Sequence, residues 1–181
     1  MKKIFLLSFV LLSIVAFTSC ENDEIDVNEI KYATKVFPEP CTVWGCTVDS
    51  VKRHMSPYQF TYQDVYESNV TKPDGTIVQK WLSSFMGINP FSPTGKAIEY
   101  DYCYDESSQG LRAIAVYVGG DIQFSDLETQ LSDGDYVQTG RDVKDKTYFY
   151  SNSKTDITVF YPGSNYVLLR YHKHGDDELT W

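Results

Sequence analysis

The side chains in this chain that could do chemistry are a histidine pair near one end, a set of cysteines and a run of tyrosines. His172 and His174 are separated by Lys173, so on a continuing strand both would point the same way. Asp176, Asp177 and Glu178 follow at once. An H-x-H pair with a carboxylate can hold a divalent cation. A strand end running into a solvated acidic tail accounts for the same residues, and no metal or other cofactor is expected. Cys41, Cys46 and Cys103 lie on separate segments without the repeated C-x-x-C or H-x-x-x-H spacing of a zinc site. Cys41 and Cys46 flank Thr42-Val43-Trp44-Gly45, a spacing that could close a small disulfide loop, although either could instead reach Cys103. Cys103 has no histidine near it in sequence to lower its pKa. There is no G-x-S-x-G elbow, no H-E-x-x-H and no phosphate-cradling glycine loop. Asp133 and Asp135, like Asp176 and Asp177, fall in turns and tails where charge is solvated. The expectation is a protein that is not an enzyme.

Aromatic residues remain: 14 Tyr, 10 Phe and 3 Trp in 181 residues. Tyr100, Tyr102 and Tyr104 alternate along one strand, with Asp101 and Cys103 on its other side. Exposed, they would form a recognition platform, because tyrosine contributes large area, few rotamers and a polar tip. Antiparallel sheets favour tyrosine and phenylalanine in any case. Phe60, Val78, Leu82, Ile114, Val116, Val159 and Leu169 are the expected core. With a formal charge of −9 and no run of lysine or arginine, the chain excludes nucleic acid as an expected partner. An acidic, tyrosine-bearing surface suits a basic or mixed protein epitope. Stacking on glycan rings would use the same residues.

The elements that must position these residues follow from periodicity. Val48 to Met55 reads as a short helix: Thr47 is its N-cap, Asp49 sits in its first turn, and Val48, Val51 and Met55 share one face. Strands are expected at Tyr58–Tyr62, Thr76–Met86, Ile98–Tyr104 and Leu111–Val118, with Pro73-Asp74-Gly75 as a turn. Gly119-Gly120 interrupts the pattern. Ser125 and Glu128 then form a capping box before a second helix carrying Leu127 and Leu131. Strands at Tyr136–Gly140 with Tyr148–Tyr150, at Thr155–Tyr161 and at Tyr166–His172 complete the chain. The expected fold class is α+β: two tandem units, each a short helix packed on an antiparallel β-meander, over residues 41–120 and 121–174. An acidic tail occupies 175–181. On Thr47-x-x-x-Val51-x-x-x-Met55 and Ser125–Leu131, the pattern resembles the tandem helix-sheet fold of the β-lactamase inhibitor proteins. A weaker likeness is to the small lipoprotein subunit of the outer-membrane assembly machinery. The resemblance implies helices on one sheet face and the other face open to a partner, and carries over no inhibitory residue.

The first residues set an address. Lys2 and Lys3 precede an apolar run, Ile4 to Phe17, broken only by Ser8 and Ser13 and closed by Thr18-Ser19-Cys20. The run is shorter than the roughly 20 residues a membrane-spanning helix needs. Ending in cysteine, it resembles a bacterial lipoprotein signal, which implies cleavage after residue 19 and lipid on Cys20. Glu21, Asp23, Glu24, Asp26 and Glu29 make residues 20–40 an acidic flexible tether. That cluster resembles the export signal of surface lipoproteins of the Bacteroidetes, which implies the cell-surface side of the outer membrane rather than its periplasmic side. The expected role is non-catalytic binding of a protein partner through an aromatic sheet face, inhibitor-like or immunity-like. An envelope assembly or scaffold lipoprotein is the alternative, followed by a glycan-binding module and a metal-dependent hydrolase using His172 and His174.

Overall fold

The structure, a computed structural model, describes residues 35–71, 75–105, 110–120, 122–163 and 165–176. The signal segment 1–19, Cys20, the acidic cluster of the tether and residues 177–181 lie outside the described residues. What is described belongs to one compact unit, Thr34–Trp181.

Chain order is α1 (Val48–Met55), β1 (Thr61–Thr71), β2 (Ile77–Ile88), β3 (Ala97–Tyr104), β4 (Leu111–Gly119), α2 (Phe124–Asp133), β5 (Val137–Asp142), β6 (Thr147–Ser151), β7 (Thr155–Phe160) and β8 (Tyr166–Lys173). The expected pair of tandem helix-on-meander units does not form. All eight strands make one antiparallel sheet in the order β1-β2-β3-β4-β8-β7-β6-β5, accompanied by only two short helices. The two runs of strands join where β4 pairs with β8, from Ala113↔His172 to Gly119↔Tyr166. The physical reason lies in those two strands. Each turns an apolar row inward, Ile114, Val116 and Val118 on β4 and Val167, Leu169 and Tyr171 on β8, and left as separate edges they would expose long rows of unpaired backbone groups. Zipped together they bury one continuous core running from Phe37 to Tyr171.

That core lies on a single sheet face. Ile98, Tyr100, Tyr102 and Tyr104 of β3 project into it beside Ile114, Val116 and Val118 of β4 and Val167, Leu169 and Tyr171 of β8. Helix α1 covers this face with Val48, Val51 and Met55, the spacing expected from sequence. Thr47 stands at the N-cap without a side-chain cap bond. Helix α2 adds Leu127 and Leu131 but begins earlier than the capping box implied, with Gln123 as N-cap and Ser125 inside the helix. Phe124 explains the shift: its ring packs 4.3 Å from Tyr148 and 5.1 Å from Tyr161, which draws the helix start onto β6 and the end of β7.

Residues 35–40, read from sequence as the end of the tether, are packed into the fold as a strap. Phe37 is 1% exposed. A strap without secondary structure must find partners for its buried backbone. Gln130, itself buried in α2, supplies most of them. Its Oε1 accepts the N–H groups of Val36 (2.7 Å) and Phe37 (3.2 Å), and its Nε2 donates to Phe37 O at 2.9 Å. Asn89 Nδ2 donates to Val36 O at 2.7 Å.

The first strand also differs from expectation. Tyr58 closes the turn after α1 by donating its N–H to Met55 O, and β1 begins only at Thr61. A bulge between Gln63 and Tyr66 reverses the alternation. Tyr62 therefore stacks near Phe85 on the core face, whereas Tyr66 meets Leu82 on the other. Phe60 lies across Gly87, where an added Cβ would fall 2.7 Å from its ring. Edge strands β1 and β5 each carry a bulge, which blunts edge-to-edge pairing.

Gln130→Ala leaves three buried backbone groups of the strap without partners. The expected loss is about 2–4 kcal/mol in urea unfolding, with faster amide exchange at Val36 and Phe37. Loss below about 0.5 kcal/mol would show that the strap contributes little.

Candidate functional site

With both helices and the strap on one side, the opposite sheet face carries no covering element among the described residues. Its side chains run in rows set by register. One row reads Met86 (β2), Glu99 (β3), Tyr117 (β4), Leu168 (β8) and Phe160 (β7). The next reads Ser84, Asp101, Ala115, Arg170, Thr158 and Phe149 across β2, β3, β4, β8, β7 and β6. Met86, Tyr117 and Phe149 are each just under two-fifths exposed, and Tyr166 is somewhat more. Large apolar side chains are thus collected on an uncovered face around a polar centre.

The centre is two carboxylates and a guanidinium. Asp101 accepts a hydrogen bond from Ser84 Oγ. Burial lifts its carboxyl above the ordinary range despite that bond. Burial, then the negative charge of Asp101, lifts Glu99 in the same direction. Among the described residues no cation forms an ion pair with either. The Tyr117 phenol is raised by burial and by Asp101 and Glu99, with Arg170 opposing. Arg170 has its Nε buried without a hydrogen-bond partner among the described residues. Asp101 and Arg170 flank Ala115 on strands two apart, about 10 Å by ordinary strand spacing. The face therefore holds partly dehydrated negative charge and an unsatisfied donor that folding left unpaired.

The residues singled out from sequence fall elsewhere. Tyr100, Tyr102 and Tyr104 are buried on the core face and form no exposed platform. Tyr100 OH donates to Pro38 O at 2.6 Å, Cys41 N–H donates to Tyr102 OH at 3.2 Å, and Tyr104 OH lies 3.1 Å from Ser83 Oγ. The alternation was legible, but its orientation was inverted: the strand face bearing Ile98 and three tyrosines is the apolar one, and it goes inside. Glu99, Tyr117 and Arg170 were missed. Their signal was the complementary parity, a carboxylate–cysteine face on β3 beside alanines and Tyr117 on β4.

His174 Nδ1 lies 2.8 Å from Asp156 Oδ1, and Ser151 Oγ donates to the same carboxylate oxygen. Ser151 Oγ is also 3.2 Å from that same Nδ1. Serine, histidine and aspartate thus meet, but a proton relay needs the two ring nitrogens to face different partners, whereas both contacts here fall on Nδ1. The cluster ties the β6–β7 turn to the end of β8, with Gly175 N–H donating to Asp156 Oδ2. His172 Nδ1 is 3.3 Å from Lys173 O. The described residues contain no group of three His, Cys, Asp or Glu placed to hold a metal. Cys41 and Cys46 lie side by side, and Cys103 lies on the uncovered face with Leu82 and Ala113. A groove of about 330 Å³ beside Phe60, Ile88 and Pro90 offers shape without carboxylates or cations. No helix of the described residues is long and apolar enough to cross a membrane.

Compared with known proteins, the chain matches no family model, no curated protein and no solved structure.

Two pH dependences of opposite sign follow. Glu99 and Asp101 hold protons more tightly folded than unfolded. Their contribution to stability is full below the ordinary carboxylate range near 4 and is lost as pH rises through their folded values. Glu99→Gln and Asp101→Asn should therefore raise Tm at pH 7, with the gap closing towards pH 4. Asp156 is the reverse. Burial opposes its ionisation, but bonds from Ser151, His174 and Gly175 N–H together hold it below the usual range. Its contribution is present above that range and lost as pH falls through its folded value, so Asp156→Asn should lower Tm at pH 7 and have little effect in acid. Thermal melts across pH 3–7 check both. A wild type more stable than the Glu99 and Asp101 variants at neutral pH contradicts the first.

Proposed function

We propose that this protein is an exported envelope lipoprotein, anchored through lipid on Cys20, which binds a protein partner without catalysis through the uncovered face of its sheet. The observation that carries the binding reading is the set of polar groups on that face that folding leaves unsatisfied. Among the described residues, Glu99 and Asp101 are partly dehydrated without a counter-ion, and Arg170 Nε has no acceptor. Such groups oppose stability, and sites kept at that cost are where function is sought first. Met86, Tyr117, Phe160 and Tyr166 around them supply apolar contact area. A partner segment presenting a lysine or arginine between apolar side chains would neutralise the carboxylates, while one of its carbonyls accepts from Arg170. The overall charge of −9 favours approach of such a basic segment. The lipid anchor rests on the sequence up to Cys20.

Two experiments test the proposal. Cys20→Ala should shift the full-length protein from the detergent phase to the aqueous phase in cloud-point extraction. Retention in the detergent phase contradicts lipidation there. For binding, tagged full-length protein is cross-linked in intact envelopes and recovered, with Tyr117→Ser and Asp101→Asn as test variants. Val143→Ser, 73% exposed in the β5–β6 turn, is the control. A protein recovered with wild type and control should fall at least tenfold with both test variants, about 1.4 kcal/mol or more of binding energy. Equal recovery by all four removes this face from the contact. Loss of glycan rather than protein on Tyr117→Ser would replace the protein partner with a carbohydrate.

A further inference from the structure

The strap ends in a short loop that brings two of the cysteines together. Cys41 Sγ and Cys46 Sγ are 4.0 Å apart. The loop between them is tightly held. Cys46 N–H donates to Val43 O at 3.1 Å, and Gly45 stands at φ +77°, a left-handed conformation that glycine adopts without strain. Gly45 N–H donates to Leu111 O at 2.9 Å, and Leu111 N–H to Cys46 O at the same distance, so the loop is hydrogen-bonded to the start of β4. Trp44 Nε1 donates to Thr155 Oγ1 at 3.0 Å. Cys103 is set apart: its side chain faces the uncovered side of β3, whereas Cys41 and Cys46 belong to the core on the other side. Sequence leaves the pairing open among three cysteines, and the sheet between them decides it.

We infer that Cys41 and Cys46 are an oxidisable pair that closes into a disulfide by exchange with a donor disulfide, clamping the strap to the sheet and leaving Cys103 as a free thiol. The exchange balances in two steps. The Cys46 thiolate, on the more accessible sulfur, attacks one sulfur of the donor and releases one donor thiol. The Cys41 thiolate then attacks the Cys46 sulfur of the mixed disulfide and releases the second. Two electrons pass from the cysteine pair to the donor, and the two cysteine protons end on the released thiols. Burial and the neighbouring Cys41 push the Cys46 thiol up to about 12, so exchange in the folded state is slow. Refolding in a redox buffer avoids that barrier, because unfolded thiols react freely.

The test refolds full-length protein with reduced and oxidised glutathione, alkylates remaining thiols and maps tryptic fragments. Fragment 36–52 contains both Cys41 and Cys46, and fragment 97–112 contains Cys103. The expected result is 36–52 two hydrogens lighter and unlabelled, with 97–112 carrying one label. A second readout compares melting with and without dithiothreitol. Wild type should lose about 5 °C on reduction, and Cys46→Ser should melt alike under both conditions. Full labelling of 36–52 after redox refolding overturns the inference, as does a cross-link from either cysteine to Cys103. Closure without any change in melting retains the bond and removes the clamp.

Discussion

On the inner face of this sheet, two buried tyrosines and the strap complete one another's hydrogen bonds. A phenol in a core has to find a hydrogen-bond partner, or its burial is unfavourable. Tyr100 and Tyr102 find theirs in the backbone of the strap, at Pro38 O and Cys41 N–H. The strap has the complementary requirement, since a buried segment without helix or strand carries orphan amides and carbonyls. Tyrosines without the strap would hold dry hydroxyls, and the strap without the tyrosines and Gln130 would hold dry peptides. Each completes the other on the face that the apolar side chains of β3, β4 and β8 turn inward. Both helices lie on that same face, and among the described residues no helix or strap lies on the other.

This reciprocity also separates what the sequence disclosed from what it concealed. Helix α1 was legible because Val48, Val51 and Met55 obey a local period, and local periods do not depend on distant partners. The alternation of β3 was legible for the same reason. Its orientation was not, because tyrosine is amphipathic and suits either a wet surface or a core that offers acceptors. Two of the partners, Pro38 O and Cys41 N–H, come from residues far away in sequence and acidic enough nearby to be taken for a tether. Gln130 gave no signal at all, as a polar residue on a helix is ordinarily solvated. In β1 the period itself misleads, since the bulge after Gln63 turns Tyr66 away from the face that holds Tyr62. The single sheet was hidden too: both helix-and-strand patterns are present, but only the long-range pairing of β4 with β8 shows that they share one core.

On the bare face the same physics applies with the opposite outcome. Burial raises Glu99 and Asp101 because neighbouring side chains exclude water without supplying charge. Asp156 lies on that face as well, yet it is supplied with a hydroxyl, an imidazole and a backbone amide and is held below the ordinary range. Two treatments of a carboxylate within one surface show that the fold is capable of satisfying such groups. It does so at the β6–β7 turn and does not do so at the centre of the sheet.

The centre differs in what its middle strand supplies. Central strand β4 presents Ala113 and Ala115 there, each about 1% exposed, so the strand between Asp101 and Arg170 carries almost no side chain. Asp101 and Arg170 lie about 10 Å apart on either side of Ala115, and among the described residues they form no ion pair. Asp101 and Arg170 thus stand as an acceptor and a donor on either side of a short side chain that its neighbours cover. The two faces meet on adjacent residues of β3: Tyr100 is turned inward with its hydroxyl on Pro38 O of the strap, and Asp101, one step along, must then face out.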